Sequence, residues 1–276
     1  MKLLVPTDFS ETSEYALNAS LLFAQKLDAE IHLLHCIELP KVSDLNPSHN
    51  AIMKNLDKLL YKEAEKKLNS FKHMLVDHNI PCEFTILRNS YLDTVFDQEL
   101  FADTDLVLIG SHGTKGINEW FIGSNTQKVI RKINKKILIV KNELEDIDFK
   151  KVAYVTGLAD NEKSDFKEFL NMMSQFKIEE LHILSIDTFL YFTEPTIVVQ
   201  SALNDYKQLA ERYNVKTHFV RDYSVVAGVR HFVERNGIDL VAMSNSHRHP
   251  IKRIIRGSNV EIIVNQSEVP VLTIDS

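Results

Sequence analysis

Two stretches of similar sequence, half a chain apart, indicate the architecture of the protein. Residues 105–140 read DLVLIGSHGTKGINEWFIGSNTQKVIRKINKKILIV, and residues 239–274 read DLVAMSNSHRHPIKRIIRGSNVEIIVNQSEVPVLTI. When the two stretches are aligned without gaps, Asp105 corresponds to Asp239, and Gly123-Ser124-Asn125 corresponds to Gly257-Ser258-Asn259. The offset is constant at 134 residues. This offset is close to half of the 276-residue chain, so the sequence predicts two copies of one structural unit.

Within each copy, short β-rich runs alternate with longer helical patterns, which is typical of strand-helix-strand units and a parallel sheet. The predicted strands are Lys2 to Val5, Glu30 to Ile37, Glu83 to Leu87, Asp105 to Ile109 and Lys136 to Val140, then Val152 to Val155, Leu181 to Ile186, Lys216 to Arg221, Asp239 to Met243 and Val271 to Ile274. The predicted helices lie near 11–27, 50–79, 91–101, 124–134, 162–175, 197–213, 225–236 and 258–265. The fold class is therefore α/β, with two tandem doubly wound domains. We expect them at 1–142 and 150–276, joined by the acidic KNELEDIDFK at 141–150.

Composition restricts the class of protein. Hydrophobic residues make up 44% and charged residues 25% of the chain, which is average for a soluble globular protein. The net charge of -6 argues against a nucleic-acid partner, because such binders need a basic face. The N-terminal apolar run is too short for a signal peptide, and no stretch is long enough to span a membrane. Two distant cysteines, Cys36 and Cys82, suit a reducing compartment, so we expect a cytoplasmic protein that does not bind membranes.

Four of the eight glycines follow the predicted strand that ends near Ile109. In open parallel sheets, ligands bind outside the carboxyl ends of the strands, and helix N-termini supply N–H groups for anions. Gly110 and Gly113 would let the backbone approach a phosphate, and Gly123 with Ser124 would open a helix facing the same anion. The spacing matches neither the P-loop nor G-x-G-x-x-G, and ordinary turn chemistry is the alternative explanation.

These glycines also carry a family resemblance. Gly110-x2-Gly113-x9-Gly123-Ser124 resembles the ATP-binding motif of the universal stress protein family. VPTDFSETSEYAL is similar to that family's first strand and turn, and IHLLHCIE to its second strand. The resemblance implies Rossmann-like domains of the adenine nucleotide alpha hydrolase type, arranged as a tandem member of the family. It further implies that KKILIV and VPVLTI, the last strands of the two halves, pair across an intrachain pseudo-dimer.

Carried over by position, the resemblance implies an adenine nucleotide site in the first half. Asp8 would contact the nucleotide, while Pro6 and the backbone at Cys36 and Ile109 would line the adenosine pocket. The residues expected around the phosphates are Gly110, Gly113, Gly123, Ser124, Asn125 and Thr126. The ligand would be ATP, ADP or AMP, and Asp8 could hold a Mg²⁺ ion bridging the phosphates. Alternatively, Asp8 is a capping acid for the helix starting at Ser10, and Cys36 and Ile109 are sheet core.

The second half departs from the motif. Ser244 replaces Gly110, His247 replaces Gly113, and we place Leu158 at the position of Asp8. Because a Cβ obstructs close backbone approach, we expect this half not to bind ATP and instead to stabilise or regulate the first half. The basic residues between 247 and 256 are a solvated loop, with an anion site or a weakly supported zinc site as alternatives.

The sequence contains no base, nucleophile or metal-carboxylate pair with a recognised catalytic spacing. We therefore expect an ATP-binding stress-response or signalling protein, with at most weak ATP hydrolysis. Two alternatives stay open, namely an interaction protein whose glycine loop is vestigial and a slow ATPase. The sequence also leaves open whether two chains form a homodimer.

Overall fold

A computed structural model of the protein describes residues 1–37, 47–88, 92, 101–111, 130, 133, 135–188, 195–245 and 259–275. The strands are β1 Lys2–Pro6, β2 Glu30–Ile37, β3 Cys82–Arg88, β4 Leu106–Gly110, β5 Lys136–Val140, β6 Lys151–Val155, β7 Glu180–Thr188, β8 Val215–Asp222, β9 Leu240–Ser244 and β10 Val271–Ile274. The helices are α1 Glu11–Leu27, α2 Pro47–Asp77, α3 Lys163–Met172, α4 Thr196–Leu209, α5 Val225–Asn236 and α6 Asn259–Gln266. The predicted strand ends differ from these observed ends by at most two residues.

The strands form one ten-stranded sheet in the order β3-β2-β1-β4-β5-β10-β9-β6-β7-β8. Each half is parallel and doubly wound, because the chain moves outward from its first strand to the third and then returns to the other side for the fourth and fifth. β5 and β10 join the halves as an antiparallel pair, in which Leu138 lies opposite Leu272. The predicted α/β fold and the predicted pairing of the two last strands are thus confirmed.

The aspartates at the start of the repeated stretch have a structural role. The Asp105 carboxylate accepts a 2.8 Å hydrogen bond from the backbone N–H of Lys2, at the start of β1. The Asp239 carboxylate accepts the same bond, also at 2.8 Å, from Lys151 at the start of β6. These aspartates therefore hold the first and fourth strands of each half in register.

The first helix, α1, follows the sequence pattern closely. Ser10 is its N-cap and accepts a hydrogen bond from the backbone N–H of Ser13. Glu11 and Glu14 lie in the first turn, where their charges favour the positive end of the helix dipole. The apolar residues that recur at helical spacing along α1 are fully or almost fully buried against the sheet: Ala16, Ala19, Phe23 and Leu27. This packing fixes the N-terminus of α1 beside the carboxyl end of β1.

Some predicted helices differ from the structure or lie outside it. Helix α4 ends at Leu209, whereas the prediction placed its end at 213. The chain turns between Ala210 and Tyr213 instead. Helix α3 is shorter than the predicted 162–175, because the segments that flank it, Asp160–Glu162 and Met173–Gln175, form 3₁₀ turns. The predictions at 91–101 and 124–134 fall almost entirely outside the described residues.

The acidic segment between the halves is packed against both of them. Phe149 is buried, with its ring centroid 6.1 Å from those of Phe23 in α1 and Phe176 after α3. Lys141 is only 5% exposed, and its ammonium donates a 2.6 Å hydrogen bond to the carbonyl oxygen of Asn265 in α6. The segment therefore contributes to the core, although the domain limits at 142 and 150 stay a prediction.

Candidate nucleotide site

The carboxyl ends of β1, β2 and β4 lie next to one another and bring several predicted residues together. The strand order reverses between β1 and β4, which is where open α/β sheets bind their ligands. Asp8 follows β1, Cys36 is near the end of β2, and Ile109 and Gly110 end β4. The sheet thus places these four predicted site residues at one edge.

Apolar residues of this edge share one face of the sheet. Ile109 belongs to the core cluster on that face, and Cys36 packs against the same cluster. Pro6 lies opposite Leu34 of β2, which is also in this cluster, so strand alternation places Pro6 on the same face. Pro6, Cys36 and Ile109, the three residues expected around adenosine, therefore point to one side. Ile109 is buried and Cys36 is half-buried. Both residues therefore also contribute to the sheet core, which is the alternative assignment given above.

The turn after β1 has a defined hydrogen-bond network. The backbone N–H of Phe9 donates to the Thr7 hydroxyl at 3.1 Å, with Phe9 in the left-handed region at φ 63°. The Asp8 carboxylate accepts hydrogen bonds from the backbone N–H of Ser10 at 3.0 Å and from its hydroxyl at 2.5 Å. Asp8 consequently orients the N-cap of α1, which is the capping role offered above as the alternative to nucleotide contact.

The Asp8 carboxylate is exposed and charged at neutral pH. Partial burial acts to raise its pKa, but the hydrogen bonds from Ser10 outweigh this effect and lower the pKa below the usual value of 3.8. An exposed carboxylate at the end of β1 repels free phosphates, so it suits a ribose hydroxyl or a bridging cation. Its geometry is therefore compatible with capping and with ligand contact together.

Gly110 is required by the first turn of α1. A Cβ on Gly110 would lie 1.8 Å from the carbonyl oxygen of Thr12 and 2.3 Å from its carbonyl carbon. Neither backbone atom can move independently of the helix, so only glycine fits while α1 stays in place. This close approach explains Gly110 without a phosphate, and it also brings the α1 N-terminus against the end of β4.

The predicted phosphate residues Gly113, Gly123, Ser124, Asn125 and Thr126 lie outside the described residues, as does the basic stretch 247–256. For the residues that the structure does describe, no group of three or more His, Cys, Asp or Glu side chains could hold a metal ion. None of the helices in this part of the chain combines the length and the apolar composition that a membrane-spanning helix needs.

The second half repeats the turn after the first strand, which corrects one alignment. The backbone N–H of Leu158 donates to the Thr156 hydroxyl at 2.9 Å, and Leu158 has a φ of 63°. Leu158 is therefore the counterpart of Phe9, and Gly157 takes the position of Asp8. Placing Leu158 there was wrong by one residue, although the acid is absent in either alignment.

Two acidic residues that the sequence analysis did not single out change the chemistry of the second half. Glu162 stands in the place of Ser13, and its carboxylate accepts hydrogen bonds from the Thr156 hydroxyl at 2.6 Å and the Gly157 N–H at 2.9 Å. Asp165 is fully buried and accepts a hydrogen bond from the hydroxyl of Ser244, the residue that replaces Gly110. Acids at a helix start are ordinary dipole partners, so neither contact has a specific signal in the sequence.

The fold and the site define a class of protein: two doubly wound α/β units that share one sheet, with a candidate ligand site at the strand switch of the first unit. The model of the universal stress protein family matches residues 1–141 and 179–275. The chain therefore belongs to the universal stress protein family, as a tandem member.

Relatives of two lengths support this assignment. Universal stress protein MJ0577 of Methanocaldococcus jannaschii is 32% identical over 154 residues, which cover 51% of this chain and 95% of that protein. Universal stress protein Slr1230 of Synechocystis is 22% identical over 291 residues, covering 98% of both chains. A universal stress protein structure from Archaeoglobus fulgidus has a TM-score of 0.77 at 19% identity, covering 99% of this chain and 98% of that one.

Proposed function

We propose that the first half of the chain binds an adenine nucleotide and that occupancy of this site sets the protein's conformation or partners in a cytoplasmic stress response. The observation that carries the proposal is the convergence of Asp8, Cys36 and Gly110 on the strand switch, directly before the glycine motif. Apolar side chains on one face would contact the adenine ring. The helix N-terminus and the glycine backbone would contact the phosphates.

The second half supports the asymmetry of this proposal. The Glu162 carboxylate already accepts the N–H of Gly157, a backbone donor at the end of β6. A ligand phosphate at this place would meet a negative charge and a donor that is already used. We therefore expect about one nucleotide per chain, because Ser244 and His247 replace two motif glycines in the second half and its Gly157 N–H is already bonded to Glu162.

The proposal is tested by isothermal calorimetry of the full chain with ATP, ADP and AMP. Asp8→Gly gives the first half the residue of the second half and should weaken nucleotide binding. The matched control, Gly157→Asp, makes the reciprocal change in the other half and should leave affinity unchanged. Absence of binding to the wild-type chain, or equal affinity in wild type and Gly113→His, refutes the proposal. Mass spectrometry of ligand released from the purified protein checks the stoichiometry.

A second candidate function is a protein-interaction module whose glycine loop is vestigial. It is favoured by the structural roles of Asp8 and Gly110, since the contacts with Ser10 and Thr12 account for both residues without a ligand. This candidate predicts a folded chain that purifies without nucleotide and shows no heat of ATP binding.

A slow ATPase is the third candidate, and phosphate release separates it from simple binding. Release that continues at the wild-type rate in folded Asp8→Ala excludes Asp8 as the residue that holds a Mg²⁺ ion for hydrolysis. Release that disappears while the variant stays folded supports the ATPase.

A further inference from the structure

The second half contains a cavity of about 170 Å³ at the carboxyl ends of β6, β7 and β9. Its apolar lining comes from Val155, Ile186 and Met243 on the strands and from Val225, Val260 and Ile263 on α5 and α6. The strand registers make Val155, Ile186 and Met243 the counterparts of Pro6, Cys36 and Ile109. The cavity therefore occupies the position that adenosine would take in the first half.

The polar end of this cavity is anionic. Glu162 lines it together with Thr156, Gly157 and Ser244. One oxygen of Glu162, Oε2, accepts the bonds from Thr156 and Gly157 described above. The other oxygen, Oε1, accepts no hydrogen bond from any residue that the structure describes, and it lies 3.2 Å from the Cβ that an alanine at 157 would have. The cavity thus offers a carboxylate oxygen as a hydrogen-bond acceptor next to an apolar chamber, which favours a cation over an anion.

The volume limits the size of the occupant. A dry apolar cavity of about 150 Å³ accommodates benzene, whereas sites for drug-sized ligands begin at about 300 Å³. A cavity of about 170 Å³ therefore encloses one ring or a short branched alkyl group.

From these observations we propose that the second half is a separate binding site for a small organic cation of the amidine or amine class. The ring or alkyl group lies between Val225, Met243 and Val260, and the cationic group donates to Oε1 of Glu162. This site does not depend on nucleotide binding in the first half. It gives the second half a ligand of opposite charge from a phosphate.

The test uses benzamidine as the probe, titrated into the full chain by calorimetry in the presence of saturating ATP. We expect saturable binding, and neutral benzamide should bind about tenfold more weakly or worse, because it lacks the charge. Glu162→Gln keeps the side-chain shape and should weaken benzamidine by about tenfold or more. Glu179→Gln removes the same charge from an exposed position and should leave the affinity unchanged.

A second variant protects the test against misfolding. Val225 is half-buried at the start of α5, so Val225→Phe can fill the cavity from its edge and should abolish benzamidine binding. Heats of ATP binding should be the same in Glu162→Gln, Val225→Phe and wild type. The proposal is overturned by absence of benzamidine binding at millimolar concentration, by unchanged affinity in both cavity variants, or by AMP displacing benzamidine from the second half. If ATP fails to bind, the benzamidine titrations still decide the cation site.

Discussion

Gly110→Ala is the substitution that tests the geometry of the first site most directly. The new Cβ would lie 1.8 Å from the Thr12 carbonyl oxygen, whereas non-bonded heavy atoms rest at about 3.5 Å. The first turn of α1 must therefore retreat by about 1.7 Å, or β4 must shift by the same amount. Overpacking of this kind costs about 1–3 kcal/mol, and we expect about 3 kcal/mol because backbone lies on both sides of the contact.

The displacement should also reach the ligand site, because the first turn of α1 carries Ser10, and Ser10 is bonded to Asp8. Nucleotide affinity should fall by about tenfold or more, since a loss of about 1.4 kcal/mol of binding free energy already gives that factor. Urea unfolding of the full chain measures the stability loss, and calorimetry with ATP measures the affinity.

The matched control for this substitution is Gly157→Ala in the second half. Among the described residues, its Cβ would meet only the carboxylate of Glu162, the end of a flexible side chain, with Oε1 at 3.2 Å. We expect a change within about 0.5 kcal/mol, as for an ordinary surface substitution. If the Gly110→Ala and Gly157→Ala proteins have the same free energy of unfolding, the reasoning from the close approach of α1 to β4 is refuted.

Three further predictions concern the helix cap, the second half and the junction. Ser10→Ala should lower the free energy of unfolding by about 1 kcal/mol in urea titrations, because the hydroxyl caps α1. A double-mutant cycle of Asp165→Ala and Ser244→Ala should give a coupling free energy of about 1–2 kcal/mol, because each single substitution breaks the same partly buried hydrogen bond. Purely additive losses of stability contradict this prediction. Burial lowers the pKa of Lys141 from 10.5 to about 8, so the folded state bears a cost of about 3 kcal/mol below pH 8 that disappears as the pH rises to 10.5. Wild-type stability should therefore rise relative to Lys141→Met across this window, and parallel pH profiles for the two proteins refute the buried charge.

The sequence predicted the strands well because their pattern is redundant. Each buried strand is a short apolar run bounded by turn residues, and the repeat supplies every strand twice. The offset of 134 residues correctly matches β4 with β9 and β5 with β10. The first strands of the two halves, β1 and β6, are separated by a different number of residues. The offset of 134 residues therefore does not align the turns that follow these strands. A one-residue error placed Leu158 at the position that Gly157 holds.

The contacts that distinguish the two sites could not be read from the sequence. Glu162 and Asp165 stand at the start of a helix, where acids are common whatever they contact. The role of Gly110 depends on the distance between β4 and α1, and that distance follows from the packing of Ala16 and Phe23 on the sheet. A motif predicts the residue type, whereas only the tertiary structure shows which neighbour requires it.

The differences between the two halves are linked in space. In the first half, Gly110 lies against the backbone of α1, and the small Ser13 and Ala16 face the sheet. In the register fixed by the turns after β1 and β6, their counterparts are Ser244, Glu162 and Asp165. Each counterpart is larger or charged, and hydrogen bonds join Ser244 to Asp165 and Glu162 to Thr156. A single reversal, Ser244→Gly, would therefore leave the buried Asp165 without that partner and keep the Glu162 carboxylate in place. Conversion of the second half to a phosphate site requires at least the three reversals Ser244→Gly, Asp165→Ala and Glu162→Ser together.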